Sequence, residues 1–213
     1  MNVFYIKLIA IITMVIDHTG HILLPHIWLL REIGRIAFPL FAFLIANGAI
    51  HTKDISKYLF RLGLLAVISE PFFSMMVPLG GTNIFFTLFL ALTPIYVFKI
   101  TSKDIKVFLF VIAVIIASYL AYLINSDYSY IGVLFIISLY LVINYKILAS
   151  LCVVVFMFWL YGNTFLFYYS LISLIPILLY NGKLGFNNKY LQYGFYFFYP
   201  IHIFILILLR EVL

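Results

Sequence analysis

Residues 16–35, IDHTGHILLPHIWLLREIGR, set one acid (Asp17), three histidines (His18, His21 and His26), two arginines (Arg31 and Arg35) and Glu32 beside some of the most apolar stretches of a very apolar chain. Burying a charge in lipid costs roughly 2.5 to 3.5 kcal/mol even on a lenient insertion scale, so ionisable residues at membrane depth have a partner or a task. An acid among histidines is a set that handles protons near neutral pH. Adjacent residues on a helix do not face each other, so Asp17 is expected to reach His21 one turn on, or a group on another span. Arg35 is either the counter-ion of Glu32, one turn away, or an anchor for a substrate carbonyl. A lone histidine in an apolar helix is commonly a hydrogen-bonded packing residue; that reading suits His26, and for His202 it stands level with a functional one.

Composition says what must carry these side chains. Of 213 residues 66% are hydrophobic and only 9% charged, which leaves no polar stretch long enough for a soluble domain. A membrane span needs about 20 apolar residues at 1.5 Å rise. Polar punctuation divides the chain into about nine apolar stretches, with eight to ten as the range: 3–24, 32–50, 56–77, 83–98, 105–124, 130–143, 147–161, 165–180 and 190–209. Those at 130–143 and 147–161 are short enough to be half-membrane or steeply packed helices, or one kinked pair. Membrane barrels alternate lipid-facing and lumen-facing residues, whereas runs such as 107–117 are apolar throughout. The expectation is an all-α, polytopic helical bundle forming one transmembrane domain over residues 1–213. Its first apolar segment carries Asp17 and His18 and no small-residue cleavage site, so it is expected to stay as an anchor.

Basic residues orient the bundle. On nine spans, ten of them (Lys7, Lys53, Lys57, Arg61, Lys99, Lys103, Lys106, Lys146, Lys183 and Lys189) fall on one side, against Arg31, Arg35 and Arg210 on the other. The positive-inside rule makes the N-terminus cytoplasmic, in an inner or plasma membrane of bacterial type. The net charge of +6 is then loop charge facing the lipid bilayer and calls for no nucleic acid. The single cysteine, Cys152, permits no internal disulfide.

Helical rise places Asp17 and His18 about 20 Å along the first span, and Glu70 and His202 about 18 Å along the third and ninth, one layer outward of the midplane. Arg31 and Arg35 enter that layer from the outer end of the second span. On the cytoplasmic side the segment 51–61 gathers His51, Lys53, Lys57 and Arg61, by default a topogenic loop that binds lipid headgroups but also suited to phosphates.

DHTGH at 17–21, REIGRIAFPLFAFL at 31–44, HTKDISKYLFRL at 51–62, ISEPFF at 68–73, NIFFTL at 83–88 and FYPIH at 198–202 stand in an order that resembles the TraX family, membrane proteins known for N-acetylating F-type pilin. The middle of the chain is similar only through DYSYIGVL at 127–134, and Ala91 stands where the family leads one to expect glycine. The FYPIH element, with Tyr199 and His202, resembles that of a wider group of transmembrane acyltransferases. The resemblance implies acyl transfer from cytoplasmic acetyl-CoA to an acceptor met at the outer half of the membrane. A pilin-like or other peptide N-terminus is favoured, with other membrane-associated amines or hydroxyls open. On that reading His18 is the general base, and Asp17 steadies its tautomer or its charged form, directly or through a neighbour. Arg35, Asn83 or a backbone N–H serves the oxyanion. His51, Lys53, Lys57 and Arg61 receive the phosphates of acetyl-CoA, and His21, Arg31, Glu70, Tyr199 and His202 are further site candidates. No cysteine or serine stands out as a covalent carrier, which favours direct transfer, and no dense carboxylate set or thiolate pair suggests a metal.

The competing reading is a small proton-coupled secondary transporter using Asp17, His18, Glu70 and His202 as a relay. It predicts internal repeats or matching broken helices, and the two halves show no convincing self-similarity.

Overall fold

The computed structural model describes residues 1–78, 80–186 and 188–212, with side chains for all of these except 189–193. It is all-helical in its described residues, apart from one isolated parallel bridge between Thr82 and Ser126. The helices are α1 Val3–Ile22, α2 Trp28–Gly34, α3 Ala37–His51, α4 Ile55–Met76, α5 Ile84–Ile100, α6 Lys106–Leu123, α7 Ser129–Val142, α8 Lys146–Tyr161, α9 Phe165–Leu171, α10 Leu174–Leu178 and α11 Lys189–Val212.

Five segments are long and apolar enough to cross a membrane: α1, the pair α2–α3 taken together, α4, α6 and Gly194–Val212 of α11. Four shorter apolar segments (α5, α7, α8 and α9–α10) bring the described total to nine, matching the nine stretches read from the sequence. The stretches expected at 130–143 and 147–161 are two separate helices, α7 and α8.

Two of the nine segments are broken three to four residues ahead of a proline, whereas Pro71, Pro94 and Pro200 stand inside continuous helices. A helix continuing from α2 into α3 would need an N–H at Pro39 for the carbonyl of Arg35, and the ring would collide with that carbonyl. The chain turns at Arg35 and Ile36 instead. Pro176 denies Ile172 its partner in the same way, and the break between α9 and α10 falls at Ile172 and Ser173. The second segment also begins earlier than the polar punctuation suggested, at Trp28 rather than Glu32. Side chains cap the starts of α1, α4 and α5: Asn2 accepts from the Tyr5 N–H, Asp54 from Lys57 and Asn83 from Phe85.

The helices pack as two compact units. The first comprises residues Met1–Leu44 and Asn144–Leu213; in it α1 packs on α2 and α11, α2 on α9, and α8 on α9 and α10. Its core includes Ile6 and Ala10 of α1 and Ile203 and Ile207 of α11. Here the chain start and the segment 179–184 share one end: Val3 N–H donates to the Lys183 carbonyl at 2.9 Å and Asn181 N–H to the Met1 carbonyl at 2.9 Å.

The second unit, Ile45–Ile143, is built on α5, which packs against α4, α6 and α7. At one end Thr82 N–H donates to the Asn125 carbonyl at 3.2 Å and Asp127 N–H to the Thr82 carbonyl at 2.9 Å. Gly81, at φ +100°, is required there, because a Cβ would lie 2.0 Å from the Asn125 carbonyl oxygen. At the other end of α5, Lys99 Nζ donates to the Ala49 carbonyl. The outward face of α6 is apolar, with Val107, Phe108, Ile115 and Tyr122 each about two-thirds exposed, a surface that suits lipid.

Candidate active site

Two glycines let α1 and α2 approach. A Cβ on Gly34 would fall 2.3 Å from Asp17 Cβ, and one on Gly20 would fall 2.6 Å from Leu30 Cβ. Neither position tolerates a side chain without movement, so the glycines of DHTGH and REIGR hold one close crossing.

That crossing seats Asp17 between two arginines. Arg31 Nη1 donates to Asp17 Oδ2 at 2.9 Å, and Arg35 Nη2 donates to Oδ1. Arg35 sits at the C-terminal end of α2; its Nε donates to the Arg31 carbonyl at 3.1 Å, and its guanidinium lies 6.0 Å from the centre of the Tyr161 ring. Asp17 is buried and the Arg35 side chain only 13% exposed, against 37% for Arg31. One carboxylate thus holds two guanidinium groups together, that of Arg35 largely shielded from solvent. Such a site favours an anion or a developing oxyanion.

One residue on, His18 meets the far end of the chain. Its Nδ1 is 2.7 Å from Nε2 of His202 on α11, with ring centres 5.0 Å apart and planes 3° from parallel. His202 Nδ1 is 2.8 Å from the Phe198 carbonyl oxygen, one turn back on the same helix. The Phe198 ring stacks on His202 at 5.1 Å, and Tyr199 stands edge-on to His18 and His202 at 5.9 and 5.6 Å. Both histidines and Tyr199 are buried.

The structure therefore joins Asp17, His18, Arg31, Arg35, Tyr199 and His202, all of them candidates from the sequence. It reassigns the partners. Asp17 takes Arg31 and Arg35, the option of a group on another helix, where His21 was the nearer alternative. Arg35 serves Asp17, where Glu32 was one of two roles offered. The partner of the His18 ring is His202 and not the adjacent acid, because neighbouring residues on α1 point in different directions. His21 occupies the last turn of α1, half-buried. Phe198, Gly20, Gly34 and Tyr161 escaped the sequence reading, although Phe198 and both glycines lay within recognised motifs.

The remaining candidates belong to the second unit. Glu70 Oε2 accepts from Asn83 Nδ2 at 2.7 Å and from its backbone N–H at 3.0 Å, while Nδ2 also donates to the Ala66 carbonyl at 2.8 Å. Asn83 Oδ1 caps α5, accepting from Phe85 N–H at 2.9 Å. Both amide hydrogens of Asn83 thus bond Ala66 and Glu70, and the pair clasps α4 to α5. His51 Nδ1 lies 2.9 Å from the Asn47 carbonyl at the end of α3. Lys53 is exposed, Lys57 Nζ is 3.0 Å from Asp54 Oδ2, and the Arg61 guanidinium lies 5.9 Å from the Tyr58 ring centre. The Lys57 backbone N–H, then its ammonium, hold the exposed Asp54 carboxyl below its ordinary range.

The profile of the TraX protein family matches residues 4–210. The chain is 36% identical over 107 residues to a probable fimbrial assembly protein FimC, serogroup H1, of Dichelobacter nodosus, a match covering 43% of this chain and 44% of that protein. It is 32% identical over 119 residues to an uncharacterized protein, RP591, of Rickettsia prowazekii (strain Madrid E), covering 55% of this chain and 46% of that one. The chain thus spans less than half the length of these curated relatives. No solved structure matches it significantly. A family match running from the start of α1 almost to the end of α11 takes in both histidines, the acid and both arginines of the buried cluster, and the chain belongs to the TraX family.

Proposed function

We propose that this protein is a membrane-embedded acyltransferase that moves an acetyl group from cytoplasmic acetyl-CoA to an amine, foremost a peptide N-terminus, at the outer half of the membrane. On this reading all nine helical segments cross or enter the bilayer, with the N-terminus cytoplasmic. The observation that carries it is the buried pairing of His18 with His202 beside the Asp17–Arg31–Arg35 cluster. A base and hydrogen-bond donors for the oxyanion are the two things acyl transfer to an amine requires. Family membership supports the chemistry, and the fimbrial assembly name of one relative supports a pilin-type acceptor.

In mechanism, His18 takes a proton from the acceptor amine as its nitrogen attacks the thioester carbonyl. The C–N bond forms, the oxyanion develops toward the guanidinium groups of Arg31 and Arg35, and the C–S bond breaks. The proton leaves His18 for the departing thiolate, giving CoA thiol and an amide. Asp17 holds the two guanidinium groups in place, and Tyr199 walls the imidazoles. The segment from His51 to Arg61 stays cationic after Asp54 offsets Lys57, so its residues fit the phosphates of acetyl-CoA.

The test is label transfer. Purified protein in detergent, given acetyl-CoA labelled in the acetyl group and a peptide with a free N-terminus, should release CoA thiol and label the peptide. Absence of label from peptide, amino-lipid and amino-sugar acceptors alike, with no CoA release, contradicts the proposal, and proton-coupled uptake into vesicles would favour the transporter instead.

A further inference from the structure

The contacts around His202 determine which nitrogen of His18 is basic. A carbonyl oxygen only accepts, so the 2.8 Å contact with Phe198 puts a proton on His202 Nδ1. A neutral imidazole carries one N–H, which leaves His202 Nε2 as an acceptor. The 2.7 Å contact then places the shared proton on His18 Nδ1, and the lone pair of neutral His18 is on Nε2. The opposite assignment turns a lone pair of His202 toward the Phe198 oxygen, or demands a permanently charged imidazolium in the resting protein beside two guanidinium groups. Neither is favourable in a buried site.

We infer that His202 is a positioning residue that locks the proton of His18 onto Nδ1 and leaves Nε2 as the basic nitrogen. The lock is built into one helical turn. Phe198 and His202 are four residues apart on α11, so the accepting carbonyl is supplied by the helix itself, while the Phe198 ring on one face and the Tyr199 edge restrain the imidazoles. During transfer Nε2 would take and return the proton while the Nδ1–H bond to His202 persists, so His202 stays neutral throughout. A neutral histidine here does the orienting part of what a carboxylate does in a Ser-His-Asp triad. This inference rests on His18 being the base, and its consequence for rate is large, because the wrong tautomer in such a triad lowers kcat about 10⁴-fold.

The experiment reads the tautomer directly. Full-length protein labelled with ¹⁵N-histidine in detergent is examined by imidazole nitrogen–proton correlation NMR, the His18 signals being assigned by their loss in His18→Gln. Wild-type His18 should be neutral with its proton on Nδ1. In His202→Phe the proton should move wholly or partly to Nε2, with acetyl transfer reduced at least tenfold. His202→Gln, whose amide oxygen stands near the former Nε2 and accepts in its place, should retain the Nδ1–H tautomer and most of the activity. A wild-type His18 protonated on Nε2 overturns the inference without any variant having to fold. An unchanged tautomer in His202→Phe, with transfer within twofold, makes His202 a packing residue and overturns it too. The expected tautomers with no acetyl transfer by the wild type support the lock and overturn the acetyltransferase reading.

Discussion

Gly34 decides where Asp17 can sit. An added methyl would overlap Asp17 Cβ at 2.3 Å, so Gly34→Ala must push α2 away or twist the carboxylate off Arg35. The expected loss is about 1–3 kcal/mol of stability, as for other overpacked sites, together with reduced acetyl transfer. Gly194→Ala is the control, since among the described residues nothing lies within 4 Å of a Cβ there, and a helical glycine replaced by alanine gains up to about 1 kcal/mol. Thermal unfolding of both variants in detergent checks this; equal midpoints would mean the close crossing does not depend on glycine. Helical rise had put His18 and His202 at one depth, and they do meet. It had put Glu70 there as well, yet Glu70 has Asn83 as its partner. Rise along an axis supplies depth but not the direction in which a side chain leaves its helix, and the ring partner of His18 needed both.

At the scale of the element, the start of α4 combines a cap with a phosphate candidate. Asp54 bonds the Lys57 N–H, and its carboxyl is held below the ordinary value of 3.8. A depressed acid stabilises the fold above its unfolded pKa, and that contribution is lost as pH falls through the folded value. The first turn of α4 should therefore loosen only below about pH 4, seen in the Ser56 and Lys57 carbon shifts. Asp54→Asn should keep the cap and lose the pH dependence; fraying at the same pH in that variant would assign it to another group. Neutralising Lys57 and Arg61 together should raise the KM for acetyl-CoA much more than it lowers kcat, because a remote phosphate contact is made alike in ground and transition states. An unchanged KM leaves the segment a topogenic loop. The sequence reading placed nine apolar segments but not the breaks inside two of them. Pro39 and Pro176 follow the breaks in runs whose hydropathy continues, but Pro71, Pro94 and Pro200 lack the same N–H inside unbroken helices, so neither apolarity nor a proline by itself marks the position of a break.

For the whole molecule, sidedness is the first expectation. Charge asymmetry predicts that segment 52–54 is cytoplasmic and 124–128 external, and within the second unit these lie at opposite ends of α5, since Lys99 reaches Ala49 while Thr82 pairs with Asn125. With Cys152 replaced by serine, a cysteine at Asp54 should be labelled by a membrane-impermeant reagent only from the cytoplasmic side, and one at Asp127 only from outside. The reverse pattern overturns the assigned orientation and with it the delivery of cytoplasmic acetyl-CoA. The central claim is that the buried imidazole of His18 drives acetyl transfer, and one rate comparison tests it most directly. Wild type and His18→Gln, purified in equal folded amounts, are given saturating acetyl-CoA and a peptide with a free N-terminus, and the initial rate of acetylated peptide is followed by mass spectrometry. Loss of a general base predicts a rate lower by about 10²- to 10⁴-fold in the variant, and a His18→Gln rate within a few-fold of wild type would contradict the account.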